Sequence, residues 1–368
     1  MTKLVAENHN KYYVWLDYYK IIFTFGVCFM HFESTHWENT RQIFEGMYLA
    51  VDFFFVLSGY FIYQSYEKSK QKSVKHFLKK RWKEFFSPTV LMLILFLLYD
   101  YAHIIKTDPT VFAAGSDIGT ATFGTIFEAL FLQMFIPTHM YNFPIWYISV
   151  LLIVGTVIYY FINKKKGNIK AYILPVLIVC TIIYGYMCNT YGNIDVHTSE
   201  NHILGIYDGV LRGFADITIG IILYYFSDKI PKYLKSREHW ILRACCWICM
   251  GWCVFINPHS QSDYIFLATS ALVIWLEARY GDVEISQSKK QKRLLLRKNA
   301  LYIYVVHYFI CKKIWKYPHE YLKLNNKWIE LVLFGIVIWI AGIILMYASN
   351  KLDKIIYTRA ARRRNVNI

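Results

Sequence analysis

Lys20 and His31 are separated by ten residues, "IIFTFGVCFM", none of them charged. In a helix, eleven steps of about 1.5 Å and 100° put both side chains on one face, about 16 Å apart. An imidazole ordinarily titrates near neutrality. It can take a proton from a hydroxyl or carry a group on a ring nitrogen. A cation further along the same face can hold an anion. Asp17 lies three residues before Lys20, at a spacing that allows a pair. Glu33 and Asp52 are the nearby carboxylates able to orient the imidazole and stabilise its cationic form. His31 and His36 would supply only two metal ligands with no evident third, so no metal site is expected.

Further on, "VDFFFVLSGYFI" (51–62) opens with Asp52 and contains Ser58-Gly59, a pair that permits close backbone approach. The next stretch, "KHFLKKRWKEFFSP" (75–88), gathers Lys79, Lys80, Arg81 and Lys83 just ahead of another apolar run. Clustered cations at such a mouth suit a phosphate-rich ligand, and they equally suit lipid headgroups. Three loops, "FESTHWENTRQ" (32–42), "IPTHMYNFPIW" (136–146) and "CNTYGNIDVHTSENH" (188–202), carry aromatic and hydrogen-bonding side chains, Trp37, Tyr141 and Trp146 among them, that suit sugars and equally suit the aromatic belts of any membrane protein.

The elements that must position these groups are apolar. The 368 residues are 56% hydrophobic and 18% aromatic. Apolar residues gather in eleven blocks: 13–31, 44–65, 85–105, 119–136, 144–163, 170–187, 205–226, 240–257, 263–279, 299–316 and 329–350. Most have the length of a helix that crosses a bilayer. The first block carries Asp17 and Lys20 and is followed by no small-residue cleavage site, so it is expected to be a retained spanning helix. The net charge of +16 sits in alternate loops, the pattern of cytoplasmic loops and not of a nucleic-acid surface. Segments 66–83 and 164–170 hold eight and four Lys and Arg. Both should be cytoplasmic, so an even number of crossings separates them, although three blocks intervene. The block 119–136, which contains Glu128, is the one expected to be re-entrant or interfacial. An all-α integral membrane protein follows, with about ten transmembrane helices and both termini cytoplasmic. It is expected to be a multi-pass protein of the plasma or inner membrane.

Ionisable residues inside such blocks usually face the bundle interior and mark function. They are Asp17, Lys20, His31, Asp52, Arg212, Asp216, Glu277 and His307. Arg212 and Asp216, four residues apart, are expected to pair. Glu277, near a helix end, is expected to snorkel. The eight cysteines lie mostly in apolar blocks without disulfide spacing, and Cys245, Cys249 and Cys253 form one stripe suited to packing.

Taken together these pieces resemble the membrane acyltransferase 3 family over nearly the whole chain. The family's Arg, ten residues, then His is matched by Lys20 and His31. Its "DxFFxxSGF" is matched by "DFFFVLSGY" (52–60). Its basic segment and proline are matched by Lys80-Arg81-Trp82-Lys83 and Pro88. Later come "WYIS" (146–149) and "YVVH" (304–307). Lysine in place of the first arginine loses a bidentate contact, and "WYISVLLIVG" lacks the acids found in some members.

The resemblance implies a membrane domain over 1–350, followed by a basic cytoplasmic tail over 351–368. It implies an O-acyltransferase, acetyl being the commonest group, that uses cytoplasmic acyl-CoA as co-substrate with no tightly bound cofactor. The acceptor would be an extracytoplasmic carbohydrate such as a surface polysaccharide. Lys20, Lys80, Arg81, Lys83 and Ser58 would then meet the donor. His31, with Glu33 or Asp52, would do the chemistry, as a base or as an acyl carrier. Trp37, Tyr141 and Trp146 would meet the sugar. A transporter or flippase for a glycan or small solute is the other class that ten helices with buried ions would fit.

Overall fold

A computed structural model describes residues 13–37, 41–69, 73–107, 117–136, 140–197, 207–227, 229–230, 232–281, 287–322 and 326–366. Among the described residues ten long helices carry the architecture: α1 (Val14–His36), α2 (Ala50–Lys68), α3 (Val74–Thr107), α5 (Trp146–Lys164), α6 (Lys170–Tyr191), α7 (Asp208–Ser227), α8 (Ser236–Phe255), α9 (Ser262–Tyr280), α10 (Gln287–Phe309) and α12 (Lys327–Val366). The two short ones are α4 (Asp117–Ala129) and α11 (Lys316–Leu322). No β-strand occurs among the described residues. The protein is therefore all-α. The segments built on α2, α3, α5, α6, α7 and α12 are long and apolar enough to cross a membrane.

At thirteen residues, α4 reaches about 20 Å, short of the roughly 30 Å hydrocarbon layer. After it the chain turns back at Phe131, which takes a left-handed φ of 57°. The Phe131 carbonyl accepts the Ser149 hydroxyl at 2.7 Å. Glu128 is buried and accepts the backbone N–H groups of Tyr141 and Asn142, each at 2.9 Å. The carboxylate thereby satisfies a bend that lacks helical partners of its own.

The tightest helix crossing is α2 against α7. A Cβ on Gly59 would fall 1.9 Å from the Ile217 carbonyl oxygen, and one on Gly220 would fall 1.9 Å from that of Val56. Two glycines from different helices let the backbones touch, as in other small-residue membrane contacts. Above this crossing lies a buried ion pair. Arg212 Nε and Nη2 reach the two Asp52 oxygens at 2.8 and 2.7 Å, and both residues are almost fully buried. Arg212 is thus bound to α2 and not to Asp216, which accepts the Tyr184 hydroxyl at 2.5 Å. The bidentate fork gives Arg212 a better partner than a carboxylate one turn along its own helix.

Glu277 does not snorkel. It is buried and accepts Arg243 Nε and Nη2 at 2.5 and 2.8 Å. The Arg243 guanidinium lies 4.3 Å from the ring centres of both Trp15 and Trp240. The eight cysteines are free thiols, and Cys253 donates to the Ser262 carbonyl between α8 and α9.

Candidate active site

Four residues that the sequence singles out meet in one cavity. Lys20 from α1, Ser58 from α2, and Arg81 and Lys83 from α3 line a space of about 480 Å³. The same walls hold Arg297 and Lys298 of α10, Glu84 of α3 and Asp353 of α12. Five basic residues therefore face two acidic ones. Lys83, Glu84, Arg297 and Lys298 are exposed at the mouth, while Thr24, Phe54, Tyr147 and Tyr304 close the deeper part. A wide polar mouth and an aromatic interior fit a ligand with a polyanionic head and a slender, less polar arm.

Each wall has a local reason. Lys20 pairs loosely with Asp17 (3.8 Å), and its ammonium lies 4.9 Å from the Phe61 ring centre. It is held without being neutralised at short range. Arg81 contacts Glu84 at 3.3 Å, a one-turn pair on α3. Ser58 Oγ and Tyr147 Oη share a hydrogen bond at 3.2 Å, so α2 and α5 meet at the cavity wall. On α10, Arg297, Leu301 and Tyr304 line the cavity at helical spacing, and the Tyr304 hydroxyl donates to the Pro144 carbonyl. Lys80 is exposed near the start of α3 and is not among the lining residues. Asp353 also accepts the Ser87 hydroxyl at 2.6 Å, and α12 continues through residue 350 without a break.

Beyond the cavity, α1 and α10 carry two histidines to the same place. The rings of His31 and His307 lie with centres 5.4 Å apart and planes 28° from parallel. Tyr308 meets His31 edge-on, at 5.6 Å. The His31 carbonyl accepts the Cys311 thiol at 3.4 Å. Cys311 belongs to a π-helical turn (Ile310–Ile314) that ends α10, an irregularity common at functional sites. The turn also receives His36, whose Nε2 donates to the Cys311 carbonyl at 3.1 Å.

The two expected orienting carboxylates are engaged elsewhere. Glu33 is buried and accepts the Phe44 N–H at 2.7 Å. Two residues past His31, it lies about 200° around the helix from it. Asp52 holds Arg212, as described above. The expected sugar-binding aromatics are also packed inward. Trp37 donates to Glu330 at 3.3 Å, Tyr141 packs on Phe96, and Trp146 packs on Phe55 and His197. Residues 38–40, 137–139 and 198–202 of the three expected sugar loops lie outside the described residues.

Tyr147, Tyr304, Arg297, Lys298 and Asp353 join the site without having been singled out for it. Arg297 and Lys298 carried a signal, since they stand just ahead of an apolar block as Arg81 and Lys83 do. Asp353 carried none.

No metal-binding cluster of three or more His, Cys, Asp or Glu side chains occurs among the described residues. No curated protein and no solved structure matches the chain. The sequence profile of one family, described as an acyltransferase domain, matches residues 13–348, from the start of α1 into α12. That match takes in every residue of the cavity except Asn350 and Asp353, and both histidines beyond it. The all-helical membrane protein described above thus belongs to the acyltransferase 3 family.

Proposed function

We propose that the protein is an O-acyltransferase that takes an acyl group, most simply acetyl, from acyl-CoA and transfers it to a hydroxyl of an extracytoplasmic carbohydrate. The observation that carries this reading is the shared cavity. Cations from α1, α3 and α10 converge on it, and its lining on α1 runs from Lys20 to Thr24, on the same helix as His31. The phosphates of CoA would bind Arg81, Lys83, Arg297 and Lys298 at the mouth. Lys20 would hold an oxygen deeper in, and the pantetheine arm would lie among Phe54, Tyr147 and Tyr304.

In this reading the charged mouth faces the cytoplasm. The four long helices α1, α8, α9 and α10 cross with the six more apolar ones. His31 then stands roughly 16 Å further along α1 than Lys20, within reach of the thioester end of the donor. A sugar hydroxyl is a weak nucleophile at neutral pH. His31 either takes its proton during attack on the thioester or first accepts the acyl group on a ring nitrogen. In both routes the thioester C–S bond breaks, an ester C–O bond forms, and the hydroxyl proton ends on the CoA thiol.

Proteoliposomes containing the purified protein test this. Radiolabelled acetyl-CoA is supplied on one side and surface polysaccharide from the producing organism on the other. Label in the carbohydrate with matching release of free CoA is the expected result. Solute movement with no CoA released would favour a transporter.

A further inference from the structure

We propose that His307 is the positioning residue for His31, in the place a carboxylate would fill in a hydrolase-type triad. The proposal rests on the reading of His31 as the reacting group. His307 is fully buried, and its Nδ1 lies 2.6 Å from the Tyr304 carbonyl oxygen. A carbonyl only accepts, so Nδ1 carries the proton. In the neutral ring Nε2 is then a bare lone pair, and it is buried with no hydrogen-bond partner among the described residues. A doubly protonated ring would place an uncompensated charge there, which burial opposes.

His31 is the complement. Among the described residues neither of its ring nitrogens has a hydrogen-bond partner, and no carboxylate contacts its ring. Its backbone is pinned through the Cys311 thiol, and among the described residues the aromatic neighbours of the ring are His307 and Tyr308. The 5.4 Å between ring centres is wider than face-to-face contact. It is close to the roughly 5 Å expected for two imidazoles joined by an N–H···N bond of about 2.9 Å. The rings lie near-parallel, 28° apart, so this bond requires the His31 ring to swing until its N–H edge meets the unpartnered His307 Nε2. That bond fixes the tautomer of His31 and leaves its other nitrogen bare, facing the acyl group. A nucleophile or base oriented by a third group is the usual requirement of such chemistry. Here the third group is an imidazole whose own tautomer is set by a backbone carbonyl.

Two measurements test this. The first is ¹⁵N NMR of ring-labelled histidines in the wild-type protein in detergent, with signals assigned through His31→Ala and His307→Phe. The expected spectrum has His307 protonated at Nδ1 and His31 in a single tautomer that becomes mixed in His307→Phe. A wild-type His307 protonated at Nε2, or a His31 signal indifferent to His307→Phe, overturns the proposal.

The second compares acetyl-CoA turnover in His307→Phe and His307→Gln at equal melting temperature. Phe keeps a ring but no acceptor, whereas Gln offers an oxygen. Phe should lower kcat roughly 100-fold with an unchanged KM for acetyl-CoA, and Gln should recover part of it. Equal losses in both variants, or none in Phe, contradict it. The NMR result needs no turnover. Inactive wild-type protein with the expected tautomers would therefore reject the O-acyltransferase reading and leave the histidine pairing standing.

Discussion

Asp52 of α2 and Arg212 of α7 form a bidentate ion pair, with contacts of 2.8 and 2.7 Å, between residues 160 positions apart in the chain. Arg212 also donates to the Tyr48 carbonyl at 3.2 Å and lies 3.7 Å from Asp195. One guanidinium therefore ties α2, α7, the turn before α2 and the loop after α6. Removing one partner leaves the other charge buried and unpaired, which typically costs about 3–5 kcal/mol. Asp52→Ala should lower the melting temperature in detergent markedly, and Asp52→Ala/Arg212→Ala should lose less than the two single changes summed. Additive losses would mean that the pair is not a unit.

The same crossing depends on two glycines. A side chain at Gly59 or Gly220 must push the backbones of α2 and α7 apart, because a Cβ would fall 1.9 Å from a carbonyl oxygen in each case. Overpacking in a well-packed core usually costs about 1–3 kcal/mol, and backbone contact puts these sites at the upper end. Gly59→Val and Gly220→Val should both reduce folded yield by size-exclusion chromatography. Gly251→Val, at a site where a Cβ meets nothing within 4 Å, should not.

The cavity predicts which cations matter to the donor. Arg81→Ala and Arg297→Ala each remove a lining charge, whereas Lys80→Ala removes an exposed neighbour outside the cavity. A hydrogen bond to a charged group contributes about 1.5–3 kcal/mol, or roughly ten- to a hundredfold in affinity. The first two variants should weaken CoA binding by that factor in a calorimetric titration, and Lys80→Ala should bind as wild type. Equal effects of all three would indicate a diffuse surface field and not a built site.

How much of this was legible in the sequence follows from locality. Lys20, Ser58, Arg81 and Lys83 were visible because charge or hydroxyl inside or beside an apolar run stands out, and helical periodicity already aligned Lys20 with His31. The short α4 was visible because charge bookkeeping left one block too many. The partners of these groups were not visible. Arg212 has a carboxylate at i+4, and the local spacing rule favours it, but packing of α2 on α7 supplies the better-shaped Asp52. Glu33 is near His31 in sequence, yet two steps of a helix turn it away. His307 stood in the sequence as a histidine in an apolar helix, closing "YVVH" (304–307), with nothing to join it to His31; its stacking on His31 depends on how α10 packs against α1.

In the proposed function His31 performs acyl transfer from a donor held in the basic cavity. The most direct measurement is CoA release from radiolabelled acetyl-CoA by the purified protein and by His31→Ala, side by side, with CoA binding measured on both. His31→Ala should bind CoA with similar strength and turn over acetyl-CoA roughly 10²–10⁴-fold more slowly. Equal turnover by a folded His31→Ala would contradict it.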